Sequence, residues 1–374
     1  MAQSFWTARA LAVKKRIYLD HAATTPMRPE AIAAVAEGMA RWANPSSPHA
    51  EGRAARAALE DARARIKTAL GWTGELIFTS GASEALWIAL NRAKVERRIV
   101  SAVEHDAVFR AAPGADILPV LGCDADAAGE PDSDYLAAFL AKPGKALVAI
   151  QAINSETGTG LIPYGRPPAI DLVRSNGGIF LSDCSQLAGK GTLPNADMIV
   201  VSAHKLGGPP GVGALLVRDL AMLEPVGGHE FGYRQGTENL PGILGFAAAL
   251  EAGSVADWPT SVEERFDFKN AIWRAGEIVC PGVQCSHIYA IAMPYLSAAA
   301  QLIRFDAMGF AVSAGSACSS GTLKRSRALA AFGVDEDTAS RTIRVSFGWN
   351  TTPEEIDAFC EAWLEVAHDA AKRA

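Results

Sequence analysis

Between residues 70 and 220 the chain repeats one pattern: a short apolar run, a turn signal, then an alanine-rich stretch of helical character. The runs are ELIFTS (75–80), RRIVSA (97–102), ADILPV (115–120), KALVAIQ (145–151), GGIFLSD (177–183), ADMIVVSA (196–203) and GALLVR (213–218). Several are apolar at odd and even positions alike. A strand needs that only when both of its faces are covered, as in a mainly parallel sheet flanked by helices. Such strands alternating with helices predict an α/β architecture. No internal repeat or low-complexity segment interrupts it.

The helical stretches carry a different period. In EGRAARAALEDARARIKTAL (51–70), Ala55, Leu59, Ala62, Ile66 and Leu70 share one face, and Asp61 stands four residues before Arg65. The last helix opens at TTPEE, where Thr352 caps, Pro353 takes the first helical position and Glu355 completes a capping box. Its apolar stripe is Ile356, Phe359, Trp363 and Val366. Trp87 and Trp363 both fall on helical apolar faces and are expected in the core. The pattern breaks in GSVADWPTSVEER (253–265). This predicts an N-terminal arm (1–16), a large domain (17–255) and a smaller C-terminal α+β domain (256–374).

Composition narrows the class. A chain of 374 residues, 49% hydrophobic and 20% charged, reads as a soluble globular protein with room for two domains. A net charge of −6 without a basic block argues against a nucleic-acid partner. No apolar run approaches the ~20 residues that span a bilayer. In MAQSFWTARALAVKKR the lysines and the second arginine follow the short apolar stretch, the wrong order for a secretory leader. The six cysteines (123, 184, 280, 285, 318, 360) show no repeated C-x-x-C spacing. That suggests reduced thiols in the cytoplasm and neither a disulfide framework nor a metal site. Cys280 and Cys285, the closest pair, read as incidental because no matching pair follows at ligand spacing.

Four stretches carry candidate chemistry. DMIVVSAHKLGGPPGVGALLV (197–217) is an apolar strand that ends in Ser202-Ala203-His204-Lys205 and enters a Gly/Pro-rich turn. In isolation Lys205 is readable as a solvated loop lysine. GIFLSDCSQ, however, ends a neighbouring strand in Asp183, with Gln186 three residues on. An amine and a carboxylate at two adjacent strand ends suit a pyridoxal phosphate site, where lysine forms the Schiff base and the carboxylate keeps the pyridine nitrogen protonated. FTSGASEALWIAL (78–90) offers strand, turn at Gly81 and helix start near Ser83, a place where backbone N–H groups hold a dianion. Finally, AVSAGSACSSGT (311–322) surrounds Cys318 with small residues that bury a thiol poorly. It is either an ordinary small-residue loop or an arm bearing a nucleophile.

Taken together, the chain resembles cysteine desulfurases of the NifS/IscS type, which are fold-type-I pyridoxal phosphate enzymes of the class-V aminotransferase group. The likeness runs from IYLDHAATTPMRPEA (17–31) to RTIRVSFGWNTTPEEID (341–357). Between them, in order, stand NPSSPHAEGR (44–53), FTSGASE, EHDAV (104–108), INSETG (153–158), DCSQ, SAHK, GGHEFGYRQGTEN (227–239) and SAGSACSSG (313–321).

The resemblance implies a role for each matching residue. Lys205 holds the cofactor and moves the substrate's α-proton, and His105 stacks on the ring. Asp183 pairs with the ring nitrogen and Gln186 with the ring oxygen. Ala82, Ser83, Ser202 and His204 hold the phosphate, joined by Thr237 from a second subunit, which implies a homodimer. Arg344 grips the substrate carboxylate, with Asn154 also on the substrate side. Cys318, on a mobile loop, takes the sulfur of L-cysteine as a persulfide, leaving alanine. Lys324, Arg325 and Arg327 stand close enough in sequence to favour its thiolate. The persulfide passes to an acceptor protein such as an iron–sulfur scaffold or a thiolation system.

His21 is expected to be mainly structural, His49 and Arg53 to shape the dimer or pocket, and His229 and Arg234 to line the pocket. One position departs from the family: Ser155 stands where relatives carry a second asparagine that contacts the cofactor's ring oxygen. A selenocysteine lyase or an aminotransferase of the same fold is the alternative enzyme, although an aminotransferase would not need Cys318. A catalytically silent scaffold is the alternative outside enzymology.

Overall fold

The computed structural model describes residues 16–122, 128–162, 168–314 and 325–374. All seven apolar runs form strands: β1 (Glu75–Thr79), β2 (Arg97–Ser101), β3 (Asp116–Leu118), β4 (Ala146–Ala149), β5 (Ile179–Asp183), β6 (Met198–Ser202) and β7 (Gly213–Val217). They build one sheet in the order β1-β7-β6-β5-β4-β2-β3. From β6 through β3 every pairing is parallel. β7 runs antiparallel to both β6 and β1.

The doubly apolar runs follow from what covers the sheet. Phe78, Val148, Phe180, Ile199 and Leu216 pack into a core on one face. Their sequence neighbours Ile77, Leu147, Leu181, Val200 and Leu215 pack into a second core on the other. Adjacent strand residues point to opposite faces, so two covered faces demand apolar residues at both.

The helix Ala50–Ala69 buries Ala55, Leu59, Ala62 and Ile66, with Leu70 just past its end. Arg65 reaches Asp61 at 3.4 Å, but its stronger partner is Glu251 of the helix Leu240–Glu251, at 2.5 and 2.8 Å. The final helix, Pro353–Ala371, starts with the expected Thr352/Glu355 capping box. Its stripe of Ile356, Phe359, Trp363 and Val366 enters a third core with Phe268, Tyr289, Phe305 and Phe347. That core lies on a smaller antiparallel sheet of β8 (Glu277–Ile278), β9 (Ile288–Ala292) and β10 (Thr342–Ser346).

Trp87 departs from the sequence expectation: it is 47% exposed. On the helix Ala82–Arg92, residues 85, 86, 88 and 89 are buried, whereas Ser83, Trp87 and Asn91 recur every four residues along the solvent face. The Arg92 guanidinium lies over the indole, 5.1 Å from its centroid, which covers part of the ring.

The first described residues pack with the C-terminal part of the chain. Ile17–Tyr18 pairs in parallel with Phe310–Ala311, and Leu19 enters the third core. The next residue, Asp20, bridges in parallel to Ser346 at the end of β10. No helix among the described residues is long and apolar enough to cross a membrane.

Candidate active site

The site forms at the carboxyl ends of β5 and β6, where open parallel sheets usually bind ligands. Asp183 is the last residue of β5, paired in register with Val200 of β6. β6 ends at Ser202 and turns through Ala203–Lys205, which puts the lysine beside Asp183's strand end. Next to them, β1 passes through Gly81 into the helix Ala82–Arg92. Gly81 has φ +148°, open to glycine and strained for other residues. Gly213 of β7 lies so close that a Cβ there would meet Gly81 Cα at 2.7 Å. Two glycines thus bring the helix start, with Ala82 and Ser83, onto the strand ends.

The segment Asp20–Thr25 laces these parts together. Lys205 Nζ donates to the carbonyls of Ala22 and Ala23, both at 2.7 Å. Gln186 Nε2 donates to the Ala22 carbonyl at 2.9 Å. The Thr25 N–H donates to the His204 carbonyl at 2.8 Å, and the Thr24 hydroxyl lies 3.1 Å from His204 Nδ1. On its other side the segment is fixed to β10. Ser346 N–H donates to the Leu19 carbonyl, and Ala22 N–H to the Ser346 hydroxyl, each at 2.8 Å.

Arg344 reaches in from β10. Its Nη2 donates to Asp20 Oδ1 at 2.8 Å and to the Ser313 hydroxyl at 3.0 Å, and its Nη1 donates to the Ser155 carbonyl at 3.0 Å. Asn154, adjacent in sequence, is buried and locally engaged. Its Nδ2 donates to the Val103 carbonyl, and its Oδ1 accepts from the Glu156 and Thr157 N–H groups.

Electrostatics suit an amine that must shed a proton. Burial, aided by Arg344 and opposed by Asp183 and Asp20, lowers Lys205 to about 8. Burial, with Lys205 nearby, lowers His204 to about 4. Desolvation also lowers His105, helped by Lys205 and opposed by Asp183. His105 caps the helix Asp106–Ala111 by accepting the Ala107 N–H at Nδ1, which places its proton on Nε2 when the ring is neutral. Behind Asp183, buried Glu104 accepts the Gln151 N–H at 2.7 Å, and burial together with the Asp183 charge pushes its pKa well up.

Several residues singled out from sequence lie elsewhere or do other work. Thr237 is exposed on the surface of this chain. Cys318 and Lys324 lie outside the described residues. Arg327 pairs with Asp106 and stacks 3.8 Å over Phe109, and Arg325 lies 4.0 Å from Glu336. His21 is buried, 3.3 Å from the Thr351 hydroxyl, and burial beside Lys190 lowers it to about 3. His49 caps the helix Ala50–Ala69, and Arg53 holds the Pro48 carbonyl. His229 lies 3.4 Å from Glu238, and the Nε of Arg234 is buried without a partner among the described residues. Sequence reasoning missed Asp20 and the Ala22 and Ala23 carbonyls. A charge at Asp20, directly after the apolar stretch 17–19, was the available signal; backbone carbonyls leave none.

The residues present fit pyridoxal phosphate. The Gln186 Oε1 and the Ser185 hydroxyl are buried with no partner among the described residues, polar atoms that a bound group would satisfy. Asp183 receives the Ser185 N–H on one oxygen, and its other oxygen takes no bond from a described residue. The helix start at Ala82 and Ser83 lies at the end of β1, beside the strand end that carries Ser202, and helix starts present backbone donors to anions.

The aminotransferase class-V family model matches residues 17–359. A cysteine desulfurase of Cereibacter sphaeroides is 33% identical over 93% of this chain and 94% of its own. The cysteine desulfurase IscS of Dictyoglomus turgidum is 33% identical, with 92% and 93% covered. Among solved structures, a NifS-like protein from Rickettsia africae superposes with a TM-score of 0.81 at 27% identity, covering 95% of this chain and 99% of that one.

Proposed function

Because the chain belongs to the class-V aminotransferase family, we propose that it is a pyridoxal phosphate-dependent cysteine desulfurase. It removes sulfur from L-cysteine and leaves L-alanine. One observation carries the reading: a single short segment holds both an amine of lowered pKa, which lies beside a carboxylate at the next strand end, and a buried guanidinium.

Pyridoxal phosphate supplies an electron sink for the substrate's α-carbon. The chain's own residues do the rest. Lys205 holds the cofactor and then takes and returns the α-proton, a task suited to an amine near 8. Asp183 keeps the ring nitrogen protonated, and Gln186 faces the ring oxygen, with Ser155 at the position of the family's second asparagine. The donors at Ala82, Ser83, Ser202 and His204 take the phosphate, completed by Thr237 of a second copy in a homodimer. His105, whose pKa burial lowers, would stack on the ring and assist proton transfer. Arg344 takes the substrate carboxylate through paired N–H bonds.

Cys318 accepts the sulfur. Its thiolate forms an S–S bond as the substrate's C–S bond breaks, and the pair of electrons left on carbon is protonated to give alanine. An acceptor protein, in iron–sulfur assembly or thiolation, then takes the persulfide.

The test supplies purified protein with pyridoxal phosphate, L-cysteine and a thiol reductant. Alanine and sulfide should appear in equal amounts, and Cys318→Ser should retain the visible absorption of the bound cofactor yet release no sulfide. Sulfide production undiminished in Cys318→Ser would remove the persulfide role. Release of keto acid without sulfide by the unaltered protein would favour an aminotransferase.

A further inference from the structure

The hydrogen bonds of Arg344 raise a problem for a residue that must grip a carboxylate. A guanidinium has five N–H donors. Nη2 spends both of its hydrogens, on Asp20 Oδ1 at 2.8 Å and the Ser313 hydroxyl at 3.0 Å. Nη1 spends one on the Ser155 carbonyl at 3.0 Å, and Nε is buried with no partner among the described residues. A carboxylate held by two parallel bonds needs two donors along one edge of the group. One edge pairs Nη1 with Nη2, and the other pairs Nε with Nη2. Both edges run through Nη2, so an incoming carboxylate must displace one of its partners.

The two partners are not equal. Ser313 offers a neutral hydroxyl that also donates to the Ala314 carbonyl at 3.1 Å. Asp20 brings a full negative charge, so its bond to the guanidinium is an ion pair, whereas Ser313 brings no charge of its own. Asp20 is also fixed in place. Its own carbonyl receives the Tyr18 hydroxyl at 3.2 Å and the Ala23 N–H at 3.0 Å, and its neighbours Leu19 and Ala22 are hooked onto Ser346, two residues from Arg344. Ser313 is therefore the partner that yields, and Asp20 the one that stays.

We propose that Asp20 is a positioning and affinity-setting residue for Arg344. It keeps the guanidinium aimed when no substrate is present, and it leaves a negative charge beside any carboxylate that binds. Substrate and product are both held more loosely for it, so alanine leaves readily. This rests on the reading of Arg344 as the carboxylate grip.

The experiment measures binding of L-alanine, the product, to the cofactor-loaded enzyme by titrating its visible absorption. Asp20→Asn removes the charge and keeps the shape. It should tighten L-alanine at least threefold to fivefold, the size of a unit-charge repulsion a few ångströms away even in a water-like medium. The pH titration of the same absorption band should also move down, because a charge that favours protonated Lys205 is gone. A purely structural Asp20 predicts the reverse: a loosened Arg344 and weaker binding.

Unchanged or weakened affinity in Asp20→Asn overturns the proposal. Ser313→Ala gives a second test should Asp20→Asn fold poorly. Loss of the neutral competitor should tighten L-alanine by a smaller factor, and unchanged or weaker binding counts against the proposal. Arg344→Gln separates the two levels, since it should weaken L-alanine by a factor of about thirty or more. If Arg344→Gln leaves binding intact, the carboxylate-grip reading itself has failed.

Discussion

Replacing Glu230 with glutamine should cost about 3 kcal/mol of folding stability, although Glu230 touches no proposed substrate or cofactor. Glu230 opens a short turn at 230–232 within GGHEFGYRQGTEN, the stretch that carries Thr237, and its side chain is 1% exposed. Both carboxylate oxygens are taken by Arg63, from Nη1 at 2.7 Å and Nη2 at 2.8 Å, and one also accepts the Phe78 N–H of β1 at 2.8 Å. Arg63 is itself buried, bound to the Leu76 carbonyl and sandwiched between the Phe78 and Phe231 rings.

Removing one partner of such a pair leaves a buried charge uncompensated, at about 3–5 kcal/mol. Glutamine keeps one oxygen for the Phe78 N–H, and half-exposed Glu60 still reaches Arg63 Nε at 2.9 Å, so the lower end applies. The anchor also holds Glu230 at φ +50° and Phe231 at φ +58°, left-handed conformations that cost non-glycine residues of order 1 kcal/mol or more each. Released, the turn should relax, and backbone amides across 227–239 should exchange faster.

Denaturant unfolding of Glu230→Gln measures the cost. Arg63→Met with Glu230→Leu should recover at least half of it, because neither charge is then stranded. A loss under about 1 kcal/mol in Glu230→Gln, or a double variant no more stable than the single, would refute the clamp.

Three further outcomes are expected. Lys205→Ala should lose the visible absorption of bound pyridoxal phosphate and all desulfurase activity; a retained band, traced by borohydride reduction and mass mapping to another amine, would move the assignment. Ser155→Asn should shift the pH titration of that band and alter the KM for cysteine, since Asn154 already spends its carboxamide on Val103, Glu156 and Thr157; overlaid titrations and kinetics would show that Ser155 plays no such part. Stability should fall on acidification below pH about 6.5, where unfolded histidines gain protons that His21 (about 3), His204 (about 4) and His287 refuse while buried. His21 alone accounts for about 2 kcal/mol between pH 6.5 and 5. Glu104 and Glu156, raised by burial, act in the opposite sense on the same descent, so a thermal midpoint that rises from pH 7 to pH 5 would mean they outweigh the histidines.

The sheet was legible because burial on two faces leaves a mark at every strand position. Ile77 and Phe78, or Ile199 and Val200, are apolar neighbours only because two separate cores claim them. The Thr352 capping box was equally plain, since its partners lie three residues apart. Trp87 misled because an indole in an apolar run looks buried, whereas the four-residue spacing of Ser83, Trp87 and Asn91 marks the outer face. Lys205, Asp183 and Gln186 were legible as residue types at strand ends. Their stitching was not. It runs through carbonyls of Ala22 and Ala23, which are chemically identical to the carbonyls of any other residue, and through contacts more than 160 residues apart in sequence.

That stitching bears on how one short peptide governs the chemistry. Lys205 hangs from the large sheet and Arg344 from the small one. Asp20–Thr25 touches both, holding the amine by two carbonyls and the guanidinium by one carboxylate. The segment is itself pinned at Ser346, and His21 is pressed so closely on Gly348 that a Cβ there would sit 1.9 Å from its Nδ1. On the proposed roles of Lys205 and Arg344, an amino acid bound here would have its amine directed to one end of the segment and its carboxylate to the other. The spacing between those two anchors is then set by a few residues of backbone with little freedom to move. On the same roles, positions from Asp20 to Ala23 would set substrate alignment through Lys205 and Arg344, which is why a change of charge at Asp20 should register in binding before it registers in folding.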